Sequence, residues 1–343
     1  FKFLQLLYMY KHQAKGCENM EKTPENKNVS AGGALISPPP KLSIPQQIEH
    51  MKGKGITFSL YNEIDACTFL AEHNYYFKLK AYAHNFDRYK DPTKNNRYIN
   101  LDFAHLVDLS KIDADFRKII LSMCLDLEHF LKVRLLNHCT MVDEDGYEIV
   151  KKLFKKLPYL EDDIARKINT STCNQIISKR KDTLAIWNIV ELISFGPFIE
   201  LYTSFYKEHN FDSDCQGLLY AIKMIRNAAA HNNCLINKMR SPYSRSISPS
   251  YELRNAINKI SSYSANRVAQ QLQNPTTHDF LALLLVYSKI VPEPSLTKGF
   301  NVVKKLFSER MLKNKEYYAK QQSLINTYRF VSEIVNKLPL NNC

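Results

Sequence analysis

Apolar side chains recur at steps of three and four through most of this chain, and no apolar–polar alternation lasts long enough to make a strand. The longest run spans Asn100–Cys139, with Phe103, Leu106, Val107, Ile112, Phe116, Ile119, Met123, Leu127, Phe130, Leu131 and Leu135 in step. Asn100 reads as its N-cap, and the segment is either one helix of roughly 60 Å or two shorter ones. Upstream, Ser43-Ile44-Pro45-Gln46 is a capping box with proline in the first turn, which predicts a short helix to about Lys52. Helices are expected at Tyr61–His73 and Tyr75–Phe86, and at Tyr147–Leu157 and Glu161–Ile168 with Pro158 between the last two. Leu184–Ser194 holds the single tryptophan, Trp187, and is expected to end at a turn through Gly196 before Pro197 starts the next helix. Asp212 or Ser213 caps a further helix running to about His231. After the Ser/Pro-rich loop Arg240–Ser250, helices return at Tyr251–Ser261, Ala265–Leu272, His278–Ile290, Phe300–Lys313 and Tyr317–Lys337. The class is all-α.

The ends set the domain reading. Residues 1–40 are polar after an apolar opening and close on Pro38-Pro39-Pro40, so they read as a disordered or extended segment, with Met20 a candidate start. A helical domain follows over 41–290, then a basic helical extension over 291–343. Phe1–Tyr10 and Phe280–Val291 are apolar but too short to cross a bilayer. The eight cysteines are scattered singly with no metal-binding spacing, so they read as small core hydrophobes of a reducing cytoplasm. Trp187, Phe195, Tyr75 and Tyr76 read as core. No cofactor and no metal are called for, and no phosphate loop, nucleophile elbow or paired carboxylates occur.

Charge changes the picture in one region. The net charge is +13, and between Lys223 and Arg267 eight Lys/Arg face a single acid, Glu252. That bias points to a polyanion partner, with Lys223, Lys238, Arg240 and Arg245 as candidate RNA-binding residues. Within it lies Ile225-Arg226-Asn227-Ala228-Ala229-Ala230-His231-Asn232. A guanidinium suits a phosphate because its planar fork holds two oxygens, and an imidazole suits proton transfer at neutral pH. Asn227 and His231 share a helix face, so the amide is placed to fix the imidazole's tautomer. Arg226 lies about 140° from His231 on an ideal helix, and its length lets the two converge near the helix end. RNA supplies its own nucleophile, the 2′-hydroxyl. The bland alternative is an ion-paired arginine and a histidine at a helix C-terminus, where its charged form is favoured.

Five blocks in order resemble a known family: PKLSIPQQI at Pro40–Ile48, NYYFKLKAYAHNF at Asn74–Phe86, FRKIILSMCLDLEHFLKVRLLN at Phe116–Asn137, WNIVELISFG at Trp187–Gly196 and IRNAAAHNNCLIN at Ile225–Asn237. They are similar to the abortive-infection (Abi) proteins of bacterial phage defence related to AbiD and AbiF, which belong to the HEPN superfamily of helical RNases. The likeness covers roughly residues 40–240. It implies a HEPN-like helical bundle with added N- and C-terminal helices, and a cytoplasmic effector that cleaves RNA and arrests the infected cell. It implies catalytic roles for Arg226 and His231 with Asn227 as the polar neighbour, Glu128 and Arg134 as a supporting acid and base, and a homodimer completing one site. Lys132 stands where the family more often has arginine. Glu128 reads equally as a structural ion-pair acid. The runner-up function is a non-catalytic RNA-binding module of a defence ribonucleoprotein.

Overall fold

The computed structural model describes residues 40–94, 96–180, 183–211, 215–243, 245 and 247–338. The N-terminal segment and the expected Asp212/Ser213 cap lie outside the described residues. Within them the protein is all-α apart from one two-residue strand pair, and it divides into two compact units.

The first unit takes in residues up to Tyr76 together with Arg88–Phe103. It opens with α1 (Ile44–Gly53), whose capping box forms as the sequence predicts: Gln46 N–H donates to Ser43 Oγ, and Ser43 N–H donates to Gln46 Oε1 at 2.8 Å. Strand β1 (Ile56–Thr57) follows, then α2 (Glu63–Glu72), capped by Asn62. Helix α3 (Tyr76–Tyr82) begins at the edge of this unit. Strand β2 (Leu101–Asp102) pairs parallel with β1. The strand pair was not legible because two residues carry no period. Asn100 does not cap a helix; it sits at φ +53° ahead of β2. Asp102 does the local anchoring, accepting from Thr57 Oγ1, Ser59 N and Leu60 N.

The second unit holds Phe77–Asp87 and everything from Ala104 onward. The Asn100–Cys139 periodicity resolves as a single helix, α4 (Phe103–Cys139), of 37 residues and about 55 Å. Next come α5 (Glu148–Lys156), α6 (Tyr159–Arg166), α7 (Asn174–Arg180) and α8 (Ile186–Leu192). Then follow α9 (Phe195–Glu208), α10 (Gln216–Ala230), α11 (Tyr251–Ile260) and α12 (Ala265–Leu272). The series ends with α13 (Pro275–Ile290), α14 (Ser295–Lys305) and α15 (Gln322–Lys337). Between α14 and α15 the expected helices break into a π-helical turn, Leu306–Arg310, and a 3-10 turn, Lys315–Tyr318.

Helix α13 is the axis of this unit. Every residue from Thr277 to Ser288 is buried, so its apolar run serves the core, and α10, α11, α12 and α15 pack around it. Among the described residues no helix is long and apolar enough to cross a membrane. Of the cysteines, Cys124, Cys139 and Cys215 are buried as expected, and none of the described ones is in a disulfide. Two readings fail at α8 and α9. Gly196 makes no turn; it lies in the first turn of α9, where a Cβ would come within 3.2 Å of Lys223 Cε and Nζ. Trp187 is not core: it is 49% exposed and rests on Tyr147 and on Gly146, whose φ of +75° and missing Cβ admit the ring. Tyr75 is exposed as well, whereas Phe195 is buried.

Candidate nucleic-acid site at the end of α10

The last turn of α10 is Ala228-Ala229-Ala230, and His231 is its C-cap. Asn232 takes the left-handed conformation at φ +57°. Asn232 N–H then donates to Ala229 O and Asn233 N–H to Ala228 O, the paired bonds that close a helix when the residue past the cap turns left. Asparagine is among the few non-glycine residues that adopt this conformation readily. Asn232→Ala is expected to lower stability by about 1 kcal/mol and Asn232→Gly to leave it nearly unchanged. Urea unfolding of the two variants reads the difference; equal midpoints would show that the left-handed turn is not what asparagine supplies.

The segment after this turn is gripped by a buried polar hub that sequence reading missed. Asp113, fully buried on α4, accepts Leu235 N–H at 3.0 Å and Ile236 N–H at 2.9 Å through one oxygen. Its other oxygen takes Tyr82 O–H at 2.8 Å and the Arg117 guanidinium. Burial pushes the Asp113 carboxyl up, and the Arg117 charge opposes that shift. From α3 the buried Lys78 amine donates to Asn232 O at 2.8 Å, and Arg117 donates to Asn233 O. Burial lowers the Lys78 pKa, with Arg117 adding to the effect. Asn85 completes the hub, donating to Ile236 O and accepting Met239 N–H. Two cations thus meet the carbonyls just beyond the negative end of α10, the polarity that a helix terminus favours. The signal was present: Asp113 and Arg117 stand four apart on the apolar stripe of α4, and a charge pair there has to be satisfied inside the protein.

The hub leaves the motif itself open. His231 is exposed and its ring bonds to no described residue; Arg226 and Asn227 are half-buried. Asn227 does not hold the imidazole. Its amide oxygen accepts from Arg226 Nη1 at 3.3 Å, and only its backbone carbonyl meets His231, through the His231 N–H. Arg226 also lies close enough to α4 to act on Cys124, whose thiol burial pushes up to about 12 while the Arg226 charge opposes the shift. Glu128 pairs with Lys132 at 3.5 Å, so its ion-pair partner is the lysine. Arg134 instead turns toward Tyr206, whose pKa burial raises and Arg134 helps to lower.

The candidate RNA-binding residues separate into two sets. Arg240 pairs with Asp87 and donates to Phe86 O, and Arg245 pairs with the buried Asp279 at 2.6 Å, so both are committed to the fold. Lys223 and Lys238 make no ion pair with a described residue. Lys223 and Arg226 are three apart on α10, two like charges on one face that repel unless an anion joins them. Lys223 also lies over the first turn of α9, where free N–H groups favour an anion rather than a cation. Among the described residues no group of three or more His, Cys, Asp or Glu side chains is placed to hold a metal ion.

The family described as Abi-like protein matches residues 68–237, an interval that contains α3, α10, the motif and the hub side chains Lys78, Tyr82, Asn85, Asp113 and Arg117. No curated protein and no solved structure matches the chain.

Proposed function

Because residues 68–237 make this chain a member of the Abi-like protein family, we propose that it is an abortive-infection effector of phage defence that cuts RNA at the C-terminal end of α10. One observation carries the reading: an exposed imidazole stands at the C-cap of a helix whose preceding turns bear two cations, Arg226 and Lys223, that pair with no acid among the described residues. Arg226 and Lys223 take the phosphate, and charge developing on its oxygens is stabilised by the guanidinium. His231 moves the proton. The 2′-hydroxyl oxygen bonds to the adjacent phosphorus as it loses its proton, the bond to the 5′-oxygen breaks, and that oxygen gains a proton. The ends left are a 2′,3′-cyclic phosphate and a 5′-hydroxyl. One imidazole serves one of these two transfers, and a second copy of the chain supplies the other. No metal-activated water is required, since the nucleophile belongs to the substrate.

The test is end analysis of an RNA incubated with the full-length protein in EDTA. Cyclic phosphate ends that disappear with His231→Ala support the proposal, and undiminished cleavage by that variant removes it. A second reading, RNA binding without cleavage, is favoured by the Asn227 geometry, because an imidazole that no described residue orients is a poor proton shuttle. Under that reading RNA is bound but never cut. Under both, Lys223→Ala is expected to reduce the slope of log affinity against log salt by about 0.7 for a single strand. A filter-binding series at several salt concentrations measures it, and an unchanged slope would take Lys223 out of the phosphate path.

A further inference from the structure

Two tyrosines in the second unit contribute little to its core. Tyr220 of α10 is 62% exposed, and Tyr251, the first residue of α11, is 71% exposed. Packing is carried instead by Leu218, Leu219, Ile222 and Ile225 on α10 and by Leu253 and Ile257 on α11. A lone exposed aromatic is ordinary, but these two share a pattern. Each is followed three residues later by a cation that lies beside its ring. Lys223 Nζ is 5.7 Å from the Tyr220 ring centre, and the Arg254 guanidinium carbon is 5.8 Å from that of Tyr251. Neither Lys223 nor Arg254 forms an ion pair with a described residue, and the acid beside Tyr251, Glu252, is matched with Lys289 at 3.7 Å.

The two pairs lie on helices that meet. A Cβ on Gly217, one turn before Tyr220, would stand 3.4 Å from Oε2 of Glu252, the residue after Tyr251. From Tyr220 the same face of α10 leads to the motif. His231 lies about three turns further, roughly 16 Å along the axis and within about 20° of the same line, with Lys223 and Asn227 between. Rings interleaved with cations suit an unpaired strand, because each nucleotide offers a base face and a phosphate. A duplex keeps its base faces inside its own stack. Given the RNA reading of the α10 end, on which this rests, we infer that Tyr251 and Tyr220 are stacking platforms for unpaired bases. They position a single strand across α11 and α10 toward His231, with Arg254 and Lys223 on the intervening phosphates. Neither ring touches the reacting atoms, so both are positioning residues.

The probes are fluorescein-labelled 2′-O-methyl oligonucleotides, which lack the free hydroxyl that cleavage needs. A single strand, its duplex and an abasic strand of the same length and charge are titrated against the full-length protein by anisotropy. The base-bearing single strand should bind more tightly than the abasic one. Tyr220→Ala is expected to weaken the base-bearing strand about tenfold and to leave the abasic strand, the duplex and the salt slope unchanged. Tyr251→Ala should do the same, and Tyr220→Phe should keep the affinity, since the ring and not the hydroxyl makes the contact. Lys223→Ala, by contrast, should weaken base-bearing and abasic strands alike. Both rings are exposed, so the thermal midpoints of these variants should hold. Equal affinity for base-bearing and abasic strands, or equal weakening of both by Tyr220→Ala, would overturn the stacking and leave the RNA reading standing. If no probe binds with a salt-dependent affinity, the RNA reading falls and the stacking falls with it.

Discussion

His231→Ala is expected to slow RNA cleavage by about 10² to 10⁴-fold and to leave folding stability within about 0.5 kcal/mol of the parent. The rate loss is that of a proton-transfer group removed from a reaction that needs one. The stability follows from position: the ring is exposed, bonds to no described residue, and the cap is made by the backbone and by Asn232. Single-turnover cleavage of a defined RNA, paired with thermal unfolding, separates the two effects. Activity and stability falling together would assign His231 a structural role. A matched pair of variants at Arg226 sharpens the reading, because lysine keeps the charge and loses the two-oxygen fork. Arg226→Lys should therefore retain RNA binding better than it retains cleavage.

The largest effect on stability is expected at Asp113. Removing one member of a buried ion pair leaves the other as an uncompensated charge, at a cost of about 3–5 kcal/mol. Domains are typically stable by about 5–15 kcal/mol, so Asp113→Ala consumes much of that margin. Arg117, Tyr82 and the Leu235 and Ile236 amides would all lose an acceptor at once. Replacing Asp113 and Arg117 together by apolar residues should recover only part of the loss, because the two backbone amides still have no acceptor. Asp113→Asn, which keeps one carbonyl oxygen, should fall between. Urea denaturation of the three proteins measures the order; a loss below about 1 kcal/mol for Asp113→Ala would mean that the segment after His231 is held by something else.

The elements that could be read directly were those whose signal is local. The Ser43 capping box and the long period of α4 each depend on residues within a few turns, and both formed as read. The all-α class followed from the same periodicity. Failures arose where a distant partner decides. Gly196 reads as a turn until Lys223 is found against it, and Trp187 reads as core until its shelf on Gly146 and Tyr147 leaves one side in water. At the site, the spacing of Arg226 and His231 told which residues share the end of α10, and charge counting found its basic surroundings. Charge counting did not reveal that Arg240 and Arg245 are consumed by Asp87 and Asp279, since a sequence shows a base but not its acid. The Asn227 amide, assigned to the imidazole by its four-residue spacing, is taken by the nearer guanidinium instead.

The hub also fixes when the motif is finished. Lys78 meets Asn232 across 154 residues, and Asp113 meets Leu235 across 122. Contacts of such separation form late, because the loop they close must be ordered first. A nascent chain that has emerged only as far as His231 already carries the guanidinium and the imidazole, yet lacks Leu235, Ile236 and Met239, which Asp113 and Asn85 have to grip. The end of α10 is therefore completed by residues made after it, and it takes its final form only once the stretch through Met239 has been synthesised as well.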